Sequence, residues 1–228
     1  MSDKNTKSKK EKKPAPQTVK YSSLTILDNS KVATHTIAGT INDTSYKDFS
    51  KFLNDVYEHN EKINVAEREA REQEEFNKIH DPEAKPKFTF KKDKIERINL
   101  IVDSYGGACC SMTNITALMM ASPIPIDTYC FGVAMSAGFM IFIHGKRRYV
   151  SSAVNMMTHS LSAMVYDNAP AIKTRALHLD KMNKIYQDMI TSRTGLSSEW
   201  MVENEQKDVF FTSDEVLEHK IADVLVTY

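Results

Sequence analysis

The chain has 228 residues, of which 41% are hydrophobic and 9% aromatic, enough apolar material for one core of ordinary size and too much for wholesale disorder. Thirty basic residues balance thirty acidic ones, so no net field points to nucleic acid or an acidic membrane as the main partner. No apolar run approaches the ~18 residues of a membrane span or follows the lysine-rich start as in a secretory signal, and three cysteines, two of them adjacent (Cys109, Cys110), suit a reducing, cytoplasmic setting better than a disulfide framework.

Residues 1–20 carry seven lysines against two acids, with two prolines. Such a stretch buries too little to offset its ordering entropy, so it is expected to be a disordered basic arm, leaving 21–228 as a single domain. Val32-Ala-Thr-His-Thr-Ile-Ala-Gly39 has the β-branched, partly alternating pattern of a strand. Ser45-Tyr-Lys-Asp48 then predicts a helix start, with Tyr46, Phe49, Leu53 and Val56 on its core face. At Glu58 the composition changes: residues 58–97 hold eleven acids and ten bases around Pro82 and Pro86. This stretch reads as a charged surface insertion, with a helix over part of it supported by pairs such as Glu67–Arg71.

From Ile98 onward the chain alternates strand and helix, which implies βαβ units in an α/β domain. The predicted order is a strand at 98–103, a helix at 108–122, a strand at 126–131, an apolar helix ending at His144 and a strand at 153–157. A long helix follows at 169–194, with Asn168 as N-cap, Pro170 in the first turn and Gly195 as its stop. Its apolar positions Ile172, Ala176, Leu179, Ile185 and Met189 fit either a core or an interface. Thr212-Ser-Asp-Glu215 is a capping box for a short helix, and a last strand follows at 223–226. His144-Gly-Lys-Arg-Arg148 reads as a solvated turn.

Glycine is scarce, yet Gly106, Gly107, Gly132 and Gly138 cluster at two strand-to-helix junctions. Helix starts leave backbone N–H groups unpaired, so two neighbouring junctions can aim two donors at one point, as an oxyanion hole requires. Ser136 lies at the second junction in Ala134-Met-Ser-Ala-Gly138, similar to a nucleophile elbow with alanine for the first glycine. Taken alone it reads as a helix N-cap. His159 ends the Met156-Met-Thr strand, a good place from which to project an imidazole base, and Asp208 precedes Val209-Phe210; each alone has a structural reading. The order Ser, His, Asp differs from that of the α/β-hydrolases.

Taken together, these motifs resemble the proteolytic subunit of the Clp protease, ClpP. Asp103-Ser-Tyr-Gly-Gly107 is similar to the family's N-S-P-G-G, Gly132-Val-Ala-Met-Ser-Ala-Gly138 to G-M-A-A-S-M-G, Met156-Met-Thr-His159 to its M-I-H, and Lys207-Asp-Val-Phe-Phe-Thr-Ser-Asp-Glu215 to R-D-R-F-L-S-A-x-E. The resemblance implies a ClpP/crotonase-like α/β fold of repeated ββα units with the 169–194 helix as a protruding handle. It also implies a serine endopeptidase in which Ser136 is nucleophile, His159 base, Asp208 its orienting acid, and the N–H groups of Gly106 and Ala137 the oxyanion hole, with no cofactor and no metal. The implied partners are polypeptide substrates, further copies in heptameric, stacked rings, and an AAA+ unfoldase. Departures from the pattern are Tyr105 for the family's proline, Ser160-Leu161 for Gln-Pro, and Ser162-Ala-Met-Val for the glycines that follow. Divergence of this kind suits a phage-encoded peptidase acting on capsid or scaffold proteins in a host cytoplasm. The alternatives are a non-catalytic ring subunit of the same fold and a crotonase-type acyl-CoA enzyme.

Overall fold

The computed structural model describes residues 17–20, 31–80 and 93–227. The expected disorder of residues 1–16, the start of the domain at Tyr21 and the part of the charged insertion around Pro82 and Pro86 lie outside the described residues. Among the described residues, nine strands form one curled sheet. β1 (Gln17–Lys20), β9 (Val224–Thr227), β6 (Arg148–Ser151) and β4 (Ile126–Cys130) lead in to β3 (Arg97–Gly107). β5 (Val133–Met135), β7 (Asn155–Thr158) and β8 (Val209–Phe211) lead away from it, while β2 (Val32–Ile41) lies along its other side. All these pairings are parallel except β7 with β8. The sheet forks at β3. The first half of this eleven-residue strand pairs with β4 over Ile98–Ile101, and its end pairs with β5 at Ser104.

The apolar core lies between this sheet and the helices. Phe49 and Leu53 of α1 (Asp43–His80), Met112 and Ile115 of α2 (Cys109–Ala121) and Phe139 of α3 (Ala137–Ile143) are at most 2% exposed. Every residue of α3 is buried, as a helix apolar on all sides must be.

The start of α1 lies earlier than Ser45. Asn42 Oδ1 accepts from the N–H groups of Thr44 (2.9 Å) and Ser45 (3.2 Å), while Ser45 Oγ accepts from the Asn42 N–H (2.8 Å). This reciprocal arrangement satisfies donors that the helix itself cannot. The composition change at Glu58 is not a structural break, because α1 runs unbroken to His80. Its charged half is clasped to the chain that returns to β3: the Asn60 carboxamide donates to the Ile95 carbonyl (2.8 Å) and accepts from the Ile95 N–H (2.7 Å), and Lys94 pairs with Glu67 at 2.6 Å. Ile63 and Ala70 are buried on this half. Of the arm expected to be disordered, Gln17–Lys20 form β1 in parallel register with Val224–Thr227, where an open strand edge offers partners for their backbone groups.

Two elements depart from or add to the sequence reading after residue 144. His144 is 6% exposed rather than solvated, and Arg148 opens β6 with its guanidinium on Asp223 (2.7 Å). The short α5 (Ser198–Glu203), capped by Ser197, adds to the sequence reading, its six residues being too few to show a helical period. The Thr212–Glu215 capping box opens α6 (Ser213–Glu218) as expected. The long helix α4 (Ala169–Arg193) buries only Tyr186 and Ile190; Ile172, Leu177 and Ile185 are 42–55% exposed, so its first half stands away from the core.

Candidate active site

The C-terminal ends of β3, β5 and β7 lie side by side, the place where parallel sheets present their sites. β5 and β7 run in register from Val133↔Asn155 to Met135↔Met157, and the Ser136 N–H donates to the Met157 carbonyl at 2.9 Å. That bond sets Ser136 beside the exit of β7. On the far side, β7 and β8 pair antiparallel, ending with Thr158 opposite Val209. Continuing the register by one pair puts His159 opposite Asp208. Strand register thus brings three residues distant in sequence to the same end of the sheet.

His159 Nε2 lies 2.7 Å from Ser136 Oγ, a distance at which the hydroxyl donates to a neutral ring nitrogen. Nδ1 on the other edge faces Asp208 Oδ1 at 3.7 Å, within ion-pair reach and outside hydrogen-bond range. The imidazole side chain is 26% exposed and the carboxylate 62%, so Asp208 meets it from the solvent side. Ser136 has φ 52° and ψ −118°, in the left-handed half of backbone space although it carries a Cβ. That sharp strand-to-helix turn lifts Oγ out of the sheet, the geometry of a nucleophile elbow.

Of the two expected oxyanion donors, Ala137 fits. As the first residue of α3 it has no intrahelical acceptor for its N–H, and it lines the same cavity as Ser136 and His159. Gly106 departs from its expected role, because its N–H donates to Ser104 Oγ at 3.0 Å. Its part is steric: with φ 113°, a Cβ here would lie 2.8 Å from the Ser136 Cβ, so only glycine lets β3 back onto the serine. Gly107, which the sequence reading left without a role, lines the cavity instead. The register of the Gly-Gly pair against Ile41 distinguishes the two, and this pairing is not visible in the sequence. The cavity, of about 80 Å³, is also lined by Met112, Met140, Ile190 and Cys109, and by the hydroxyl-bearing Thr158, Ser162 and Tyr186. Burial pushes the Cys109 thiol up, with the neighbouring Cys110 adding to it, which favours a packing thiol over a thiolate. All three cysteines are free, and no group of three or more His, Cys, Asp or Glu among the described residues is arranged to hold a metal ion.

A strand-built Ser–His–Asp constellation on a forked, curled sheet defines a class, that of the ClpP-like α/β proteins, and the comparisons agree. The Clp protease family model matches residues 87–228. The chain belongs to the Clp protease family. It is 28% identical over 138 residues to the ATP-dependent Clp protease proteolytic subunit 2 of Corynebacterium efficiens, covering 60% of this chain and 69% of that one. It is 29% identical over 133 residues to proteolytic subunit 3 of Rhodococcus jostii, covering 57% and 65%. Against a solved ClpP1 mutant from Listeria monocytogenes the TM-score is 0.62 at 16% identity, over 87% of this chain and 92% of that one, which establishes the shared fold.

Proposed function

We propose that this protein is a serine endopeptidase that cleaves peptide bonds through Ser136, His159 and Asp208. The observation that carries the proposal is the 2.7 Å approach of His159 Nε2 to Ser136 Oγ, on a strained elbow within a Clp protease fold. The serine oxygen attacks the scissile carbonyl as its proton passes to Nε2. The new C–O bond leaves a tetrahedral oxyanion beside the Ala137 N–H and the backbone at Gly107. Collapse of the intermediate expels the amine, which takes the proton back from His159. Water, activated by the same imidazole, then releases the acyl group. Asp208 holds Nδ1–H toward itself and stabilises the imidazolium; substrate binding closes the present 3.7 Å gap, as such bonds commonly tighten in the occupied site.

We further propose self-association into stacked rings through the exposed half of α4, and polypeptide delivery by a separate AAA+ unfoldase. A cytoplasmic setting, within a phage-infected host, is part of the same reading. The chemistry calls on no cofactor. The test is cleavage of unstructured peptides by the assembled wild type, with complete loss in Ser136→Ala at unchanged oligomeric state. Residual cleavage in Ser136→Ala at the wild-type rate would rule the serine out.

A further inference from the structure

The two residues after His159 depart from the family pattern, and both make hydrogen bonds that converge on the triad. Leu161, standing where the resemblance has proline, possesses an N–H, and this donates to Asn183 Oδ1 of α4 at 2.6 Å. Ser160 Oγ–H donates to the Glu205 carbonyl at 2.7 Å. Glu205 belongs to the turn that leads into Asp208, closed by Lys207 N–H donating to the Asn204 carbonyl at 3.0 Å. One helical turn beyond Asn183, Gln187 Nε2 donates to Glu205 Oε1 at 3.5 Å. Thus α4 grips the chain after His159 with Asn183 and the chain before Asp208 with Gln187, while Ser160 bridges the two directly.

We propose that Ser160 and Asn183 are positioning residues that set the separation of His159 Nδ1 from Asp208. The β7–β8 ladder ends at Thr158 and Val209, so backbone pairing does not hold the next pair. Asp208 is largely solvent-exposed and makes no hydrogen bond to the ring, so its position depends on the turn that carries it. Without the Ser160 bridge that turn is free to move away from the imidazole. Without Asn183, the chain after His159 is free to lift from α4.

This inference rests on the serine-peptidase reading, and the experiment separates the two. Ser160→Ala, Asn183→Ala, Ser160→Thr and Asp208→Ala are compared with wild type by the rate at which a fluorophosphonate labels Ser136 and by kcat and KM on a peptide. In parallel, the titration of the His159 ring is followed by NMR of histidine-labelled protein, its signal assigned by loss in His159→Gln. Expected is a fall in labelling rate and kcat of about 10- to 100-fold for Ser160→Ala and Asn183→Ala, the scale of a roughly 1 Å misplacement, with KM nearly unchanged. Ser160→Thr, which keeps the hydroxyl, recovers most of the rate. In the Asp208→Ala background Ser160→Ala costs nothing more, because both act through one contact. The His159 titration shifts in both clamp variants in the direction seen in Asp208→Ala. Wild-type labelling rates and an unmoved His159 titration in the clamp variants would overturn the inference, as would full additivity with Asp208→Ala. Wild type that never labels would defeat the peptidase reading, and the ring titration alone would then decide whether the clamp exists.

Discussion

Ser136 holds a backbone conformation that costs a residue with a Cβ about 1–3 kcal/mol, and the fold supplies that through α3, whose seven buried residues anchor the turn. Relief of this strain is measurable. Ser136→Gly is expected to raise the thermal midpoint above that of Ser136→Ala, since both lack the hydroxyl and only glycine adopts φ near 50° without penalty. Equal midpoints would show that the elbow carries no strain. His144 offers a second measurement. Burial lowers its pKa to about 4, against the pull of the Met140 carbonyl, which accepts from Nδ1, and with some help from Arg193; Nε2 has no hydrogen-bond partner among the described residues. The unfolded chain therefore binds a proton that the folded chain does not between about pH 6.5 and 4. Stability from this group is complete above pH 6.5 and is lost as pH falls toward 4, by roughly 3 kcal/mol in all. Urea melts across that range should show the slope, and His144→Gln should flatten it while lowering stability overall.

At the scale of elements, pairing registers decide where chemistry can occur. The register β5–β7–β8 brings Ser136, His159 and Asp208 to one sheet edge, and the Thr212–Glu215 box fixes α6 just beyond it. These residues stood out in the sequence because Ser136 and His159 each follow a short apolar strand and Asp208 precedes one, and because the order and spacing of their motifs resemble those of a known family. What was not legible depended on tertiary partners. Gly106 is pressed against Ser136 and Gly107 against Ile41, contacts across the sheet that the sequence does not display. β6 was hidden by the basic run Lys146-Arg147-Arg148, whose last member is neutralised by Asp223, distant in sequence. The charged run after Glu58 suggested an insertion separate from the first helix, whereas Ile63 and Ala70 keep the same helical face going and Asn60 clasps the returning chain. Asn60→Ala removes both hydrogen bonds to Ile95 and is expected to destabilise by about 1–3 kcal/mol, read by chemical denaturation, with peptide cleavage little changed because the site lies at the other ends of the strands. A stability change below about 0.5 kcal/mol would show that water replaces the clasp.

For the whole molecule, the division of labour follows from the forked sheet. One branch, β4–β6–β9–β1, builds core, and the other, β5–β7–β8, carries the candidate triad. α4 joins the second branch to a projecting half whose Ile172, Leu177 and Ile185 meet solvent, and Met164 and Tyr166 just before it are fully exposed. These exposed apolar side chains are the surface through which self-association is proposed above. Leu177→Glu is expected to shift the sedimentation profile toward smaller species and to lower peptidase activity with it; an unchanged profile would place the self-contact elsewhere. No helix among the described residues is long and apolar enough to cross a membrane.

The most direct measurement is mass spectrometry of the assembled protein after brief exposure to a fluorophosphonate. A single adduct on the peptide containing Ser136 is expected, formed in wild type and slowed by at least about a thousandfold in His159→Ala, the loss that follows removal of the base from such a triad. Wild-type protein in its assembled state that gains no adduct, or gains it as fast without the imidazole, would contradict the account.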